Sequence, residues 1–278
     1  MTHSPGEALF ARLVSRAGFK FGDGFWRLIP EPYGRQRIRA GYQAFKDSPS
    51  KAWPKDADYQ AYRKTFFRGY QRMCAEAGPR DCSRWLTALL AGFTDEELKA
   101  AARDTLAEEL ERPVGEESVR DSPEDPEPVL MRVGLRAIPE MRDLCRGLRA
   151  RGFDVWVLSP SDQWSAQAAA ALYGIDPSRV LGVRPKTLEG KLTAETLDPV
   201  PAGSGKTEAL AMFLDRPPEL AVGAQDDLAM LDYGNGTRLL LAPKEALSVA
   251  GPPPAWLERA RRRGWLVQTA FSPVRGSQ

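Results

Sequence analysis

The sequence predicts an α/β protein: a parallel sheet flanked by helices, with an all-helical module placed before the main body of the sheet. Three observations carry that expectation. Up to about Leu110 the apolar residues follow a helical period; Pro113 to Pro128 is too polar to bury; and beyond it short apolar runs alternate with helical segments. Such alternation is the mark of parallel strands joined by crossover helices.

Each element has a local reason. Tyr59, Tyr62, Phe66 and Tyr70 fall at i, i+3, i+7 and i+11, one stripe of a helix. Arg63, Lys64, Arg68 and Arg72 flank it. Basic and aromatic residues interleaved in this way can clamp single-stranded nucleic acid, whereas the simpler reading makes the stripe core. Thr94-Asp95-Glu96-Glu97 is a capping box, Phe93 and Leu98 form its hydrophobic staple, and Leu98, Ala102, Leu106 and Leu110 continue one helix face. Pro113 to Pro128 reads as a solvated linker. Pro139 opens the next helix, whose buried face is Met141, Leu144, Cys145 and Leu148, and Gly152 ends it. Phe153 to Leu158 is a buried strand stopping at Ser159-Pro160-Ser161. There follow an Ala-rich helix to Tyr173-Gly174, a strand Arg179 to Val183, a hairpin at Glu189-Gly190, a helix Lys206 to Leu214, and strands Leu220 to Gly223 and Arg238 to Leu241. Ala255 to Arg263 is a helix whose arginines suit its carboxyl end, and Trp265 to Val267 opens a last strand. In open parallel sheets ligands bind beyond the carboxyl ends of strands, so the loops after Leu158 and Val222 are the places to look for function.

Composition excludes several chemistries. The chain has 278 residues, 42% of them hydrophobic, enough for one elaborate domain or two modest ones. The one histidine, His3, sits in an N-terminus expected to fray, which excludes Ser-His-Asp and Cys-His catalysis and imidazole-bound zinc. Cys74, Cys82 and Cys145 are odd in number and lack CxxC spacing, so they are expected as reduced thiols of a cytoplasmic protein. The early apolar stretch Leu9 to Val14 is interrupted by Arg12, unlike a signal peptide. No segment approaches the roughly 20 apolar residues of a membrane helix, so no membrane partner is expected. The net charge of +2 hides a polarity: residues 1–80 hold fifteen Lys and Arg against seven Asp and Glu (+8), and residues 81–130 hold five against fourteen (−9). Such blocks serve either a nucleic-acid surface with an acidic tail or, more simply, two faces that neutralise each other.

Gly203-Ser204-Gly205-Lys206-Thr207 ends like a phosphate-cradling Walker loop. It lacks the motif's first glycine, the position being Val200, and Pro199 and Pro201 spoil the strand that should precede it. Ser159 after one strand, Lys206 at a helix start and Asp226-Asp227 after a later strand form a more informative series. A hydroxyl, an ammonium and backbone donors suit a phosphate.

From Ile138 to Pro243 the chain resembles the haloacid dehalogenase (HAD) superfamily, in its phosphoserine phosphatase-like branch. Gly152-Phe153-Asp154-Val155-Trp156-Val157-Leu158-Ser159 resembles the second motif, Gly205-Lys206-Thr207-Glu208-Ala209 the third, and Ala221 to Leu231 the fourth. The resemblance implies a HAD-like Rossmannoid core with an inserted helical cap: residues 1–30 the first-strand region, 31–128 cap and acidic linker, 129–278 the α/β core. It also implies hydrolysis of phosphomonoesters through an aspartyl-phosphate, with Mg²⁺ neutralising the phosphoryl charge, Ser159 and Lys206 holding the phosphate, and Asp226 or Asp227 at the metal. The catalytic positions depart from the pattern. The ungapped equivalent of the first motif, Phe19 to Trp26, places Lys20 at the nucleophile and Gly22 at the acid/base, and Asp56-Ala57-Asp58 has the right spacing but reads as a helix cap. In the fourth motif Gly223 is followed by Ala224 rather than Asp. The expectation is therefore a pseudoenzyme that binds a small phosphorylated or anionic ligand, or a protein partner, through Ser159, Lys206 and Lys20, without a cofactor. The alternatives are an active Mg²⁺-dependent phosphomonoesterase whose nucleophile is Asp23 or Asp56, and a cap that binds nucleic acid or an acidic protein.

Overall fold

A computed structural model of the protein describes residues 3–243 and 253–269. The chain is mixed α/β, about half of it helical, and forms two compact units, Met1–Leu197 and Asp198–Gln278. The stretches 244–252 and 270–278 of the expected core lie outside the described residues.

The first unit opens with helices α1 (Pro5–Ser15), α2 (Asp23–Leu28), α3 (Arg35–Phe45), α4 (Ala57–Ala88) and α5 (Asp95–Glu111). The expected first strand is therefore replaced: Phe19 and Phe25, read as strand residues, are buried core rings on either side of the turn into α2. Alternation of Phe19, Phe21 and Phe25 imitates a strand over a few residues, but aromatic partners lie on three helices, and helical packing prevails. The Tyr59, Tyr62 and Phe66 stripe faces inward as expected, with Tyr62, Phe66 and Phe45 fully buried. Phe10 touches Phe66 edge-on at 5.5 Å and Tyr62 lies 5.2 Å from Phe45. Each such ring contributes about 1.5–3 kcal/mol through burial alone. Thr94 and Glu97 make the reciprocal capping box.

The acidic stretch does not remain an open linker. Gly115–Val119 (β1) pairs antiparallel with Val129–Val133 (β2), and Val119, Val129 and Met131 join the aromatic core. Acid-rich composition concealed these alternate apolar positions. The basic row of α4 meets this hairpin: Arg63 reaches Glu117 at 2.6 Å, Lys64 reaches Asp125 at 2.7 Å and Asp121 at 3.0 Å, and Arg68 donates to the Glu127 carbonyl at 2.7 Å. Arg72 pairs with Glu76 at 3.2 Å and Arg16 with Glu108 at 2.8 Å. Arg72–Glu76 lies within the basic block, whereas the pairs of Arg63, Lys64 and Arg16 join the basic block to the acidic one.

The cysteines correct the sequence reading. Cys74 and Cys82 form a disulfide, and among the described residues only Cys145 is a free thiol. Both halves of α4 present these residues because the helix breaks at Gly78 (φ +79°) and restarts with Pro79, a turn that spacing rules for CxxC motifs do not anticipate. His3 is also misjudged: it is 8% exposed and packed beside Glu7.

The rest of the first unit is α6 (Pro139–Ala150), β3 (Val157–Asp162), α7 (Gln163–Ala171), β4 (Val180–Val183), β5 (Pro185–Leu188) and β6 (Lys191–Thr196). β3 and β4 are parallel, and β5 and β6 form the expected hairpin, turning at Glu189 (φ +50°) and Gly190 (φ +76°). β3 begins four residues later than the apolar run suggests and continues through Pro160, which is tolerated because, among the described residues, β3 has β4 as its one sheet neighbour. The second unit holds α8 (Gly205–Phe213), β7 (Leu220–Gly223), α9 (Leu228–Tyr233), β8 (Thr237–Ala242), α10 (Ala255–Arg262) and β9 (Leu266–Thr269), with parallel order β7-β8-β9. Among the described residues the first unit holds the parallel pair β3-β4 and the second the parallel sheet β7-β8-β9. No helix among the described residues is long and apolar enough to cross a membrane.

Candidate functional site

In the second unit the segments 205–209 and 221–231 meet. Gly203, at φ +54°, turns the chain into α8, and the amides of Gly205, Lys206 and Thr207 donate to the carbonyls of Ala202, Gly203 and Ser204 at 3.0, 3.3 and 3.0 Å. These donors are satisfied within the turn, so the loop is not laid out as a Walker-type cradle. Lys206 is buried on the first turn of α8. Its ammonium lies 2.6 Å from Asp227 Oδ1, with side-chain exposures of 10% and 15%.

Asp227 reaches that position because β7 ends in Gly223. A Cβ at Gly223 would sit 2.6 Å from the Asp227 Cβ, so only glycine lets the short turn Gln225–Asp227 fold back on the strand end. The Ala224 N–H then donates to Asp227 Oδ2 at 2.9 Å. Both carboxylate oxygens are occupied, one by an ammonium and one by an amide. Asp226 is exposed. Ala224 places a methyl group where the resemblance expects a carboxylate. Among the described residues no group of three or more His, Cys, Asp or Glu is arranged to hold a metal ion.

In the first unit Ser159 lies inside β3 rather than at its tip, half-buried, and its Oγ accepts the Ser161 N–H at 3.2 Å. The strand end carries two residues that sequence reasoning missed. Ser161 Oγ accepts the Gly6 N–H at 3.2 Å and lies 3.1 Å from Ser4 Oγ, joining β3 to the start of α1. The approach is close enough that a Cβ at Gly6 would sit 2.9 Å from the Ser161 Cβ. Asp162 is buried and caps α7 by accepting the Ser165 N–H at 2.8 Å, and burial raises its carboxyl pKa above the ordinary value. Gln163 holds β4 in place, donating to the Val180 carbonyl and accepting the Gly182 N–H, both at 2.8 Å. The i, i+2 spacing of Ser159 and Ser161, one face of a strand, was the available signal.

The first-motif equivalents lie elsewhere. Lys20 is exposed; its ammonium sits 2.7 Å from Glu97 Oε1 and 4.8 Å above the Phe93 ring. The Lys20 hydrogen bond, aided by the Thr94 amide, holds the Glu97 carboxyl below its ordinary range. Gly22 precedes α2 in extended conformation, and a Cβ there would meet nothing within 4 Å. Of the two candidate nucleophiles, Asp23 is exposed and 3.2 Å from Arg39, and Asp56 caps α4 by accepting the Tyr59 N–H at 3.0 Å.

No family model and no curated protein matches the sequence. Solved structures do resemble the fold. A conserved protein of unknown function from Anaerococcus prevotii superposes with a TM-score of 0.75 at 20% identity, over 98% of this chain and 82% of that one. A protein of unknown function from Bordetella pertussis superposes with a TM-score of 0.52 at 16% identity, over 84% of this chain and 91% of that one. At such identities the likeness concerns the fold alone.

Proposed function

We propose that this protein is a pseudoenzyme of HAD-like, phosphatase-type architecture that binds an anionic, phosphate-bearing ligand without hydrolysing it. The observation that carries this reading is the engaged Asp227 carboxylate, held 2.6 Å from the Lys206 ammonium and 2.9 Å from the Ala224 amide nitrogen. Mg²⁺ sites usually take one or two carboxylates plus substrate phosphate and waters. A cation at Asp227 would have to displace a buried ammonium, with no carboxylate at position 224 to help. An ammonium has three donors, so Lys206 can serve an anion as well as Asp227. The engagement of Asp23 with Arg39 and of Asp56 at a helix cap also supports binding over catalysis.

Calorimetric titration with inorganic phosphate and, separately, Mg²⁺ tests the reading, alongside a p-nitrophenyl phosphate assay. Phosphate binding that is lost in Lys206→Ala, with no Mg²⁺ heat and no turnover, is the expected result. Mg²⁺-dependent hydrolysis abolished by that substitution overturns it in favour of an active phosphomonoesterase.

A further inference from the structure

Cys74 and Cys82 lie on the two halves of α4, on either side of the break at Gly78-Pro79, with their Cα atoms 4.7 Å apart. Both residues are half-buried. The break itself is a hinge: Gly78 adopts a positive φ that costs other residues strain, and Pro79 contributes no amide to tie the second half to the first. The disulfide is the covalent link across that hinge. Beyond it, the second half is anchored by Trp85, whose indole N–H donates to the Leu28 carbonyl at 2.8 Å, and by the buried Leu89 and Leu90. The same segment runs into Gly92 and Phe93, whose backbone exchanges two hydrogen bonds of 2.8 Å with Leu192 of β6, and into Asp95, which accepts the Trp164 indole N–H of α7 at 2.6 Å.

We propose that Cys74–Cys82 is a redox-reversible modification site, with a dithiol reductant as its co-substrate, and that its state sets the order of the segment from Gly78 to Phe93. One thiolate of the reductant attacks a bridge sulfur, and the other cysteine sulfur leaves as a thiolate and takes up a proton. The reductant's second thiolate then attacks its own first sulfur in the mixed disulfide and expels the remaining cysteine as a thiolate, which also takes up a proton. Two electrons and two protons pass to the protein, giving two cysteine thiols and an oxidised cyclic dithiol. Cys145 is an internal control. It has no disulfide partner, and burial raises its thiol pKa against the opposing pull of Arg149, so it reacts slowly while the protein is folded.

Maleimide labelling followed by intact-mass analysis, combined with hydrogen exchange on the full chain, tests the proposal. Air-oxidised protein denatured without reductant is expected to take one label, at Cys145, and protein treated with dithiothreitol while folded is expected to take three after denaturation. Peptides covering 78–93 are expected to exchange about tenfold faster after reduction, with those covering 57–73 unchanged. The variant C74S/C82S is expected to exchange like the reduced protein without any reductant. Three labels in the unreduced protein, resistance of the bridge to dithiothreitol under native conditions, or equal exchange of 78–93 in both states would each overturn the proposal.

Discussion

Replacing Lys206 with methionine isolates the energetics on which the candidate site depends. The substitution keeps the aliphatic length and removes the ammonium. Asp227 is then left 85% buried with one amide donor, since its side chain is 15% exposed and Oδ2 alone keeps a partner. Removing one partner of a fully buried pair costs about 3–5 kcal/mol. Residual exposure at both ends places the expected loss lower, at about 2–4 kcal/mol. The double variant K206M/D227L removes both charges and is expected to recover to within about 1 kcal/mol of the parent, because neither ion then remains unpaired. Urea denaturation followed by far-UV circular dichroism measures the loss, and hydrogen exchange assigns it to residues 198–243. The loss should persist in 1 M salt, where an exposed pair is screened and a buried one is not. A Lys206→Met loss below about 0.5 kcal/mol, or a double variant no better than the single, would refute the argument that these charges stabilise each other.

Three further outcomes are expected. Gly182→Ala places a Cβ 2.7 Å from the Gln163 Cα and 3.0 Å from the Ser161 carbonyl oxygen, so backbone must move. A loss of about 1–3 kcal/mol with disrupted β3–β4 pairing should follow in a denaturant melt. Lys20→Ala removes an exposed pair with Glu97, with side chains 43% and 44% exposed, and should change stability by less than about 1 kcal/mol in the same assay. His3, as the one histidine, gives a single imidazole signal in NMR. Its pKa is lowered from 6.5 chiefly by burial, against the opposing pull of Glu109 and with Arg132 reinforcing the shift, while Glu7 stands 4.0 Å away. The folded state therefore binds this proton less readily than the unfolded state. The stability contribution is present above pH 6.5 and lost as pH falls below it. A signal titrating at or above the ordinary value would contradict this placement.

Much of the candidate site could be read before its geometry was known. Lys206 at a helix start, the glycine ending the strand at Gly223, and the substitution of Ala224 for a carboxylate are all local features, visible in a few consecutive residues. The Lys206–Asp227 pair is not, since it joins positions twenty-one residues apart and depends on the direction in which the turn after Gly223 folds back. Lys20 shows the converse. Its neighbours Phe19, Phe21 and Phe25 alternate like a strand, yet tertiary contact with the aromatic rings of α1, α3 and α4 places them in helical surroundings, and the ammonium goes to Glu97 rather than to a strand end.

By itself, the sequence determined the capping box at Thr94, the inward stripe of α4, the hairpin turn at Glu189-Gly190 and the strands around Val180–Val183, Leu220–Gly223 and Thr237–Ala242. Periodicity, capping and composition act over a few residues, and these features needed nothing more. The tertiary structure alone decided that the acidic stretch forms a hairpin against the basic row of α4, that Cys74 and Cys82 bond across a broken helix, that His3 is buried, and that the parallel strands divide between two units. Each of these depends on groups brought together by a turn or across long separations. Their energies depend on distance and burial, quantities that only the folded chain defines.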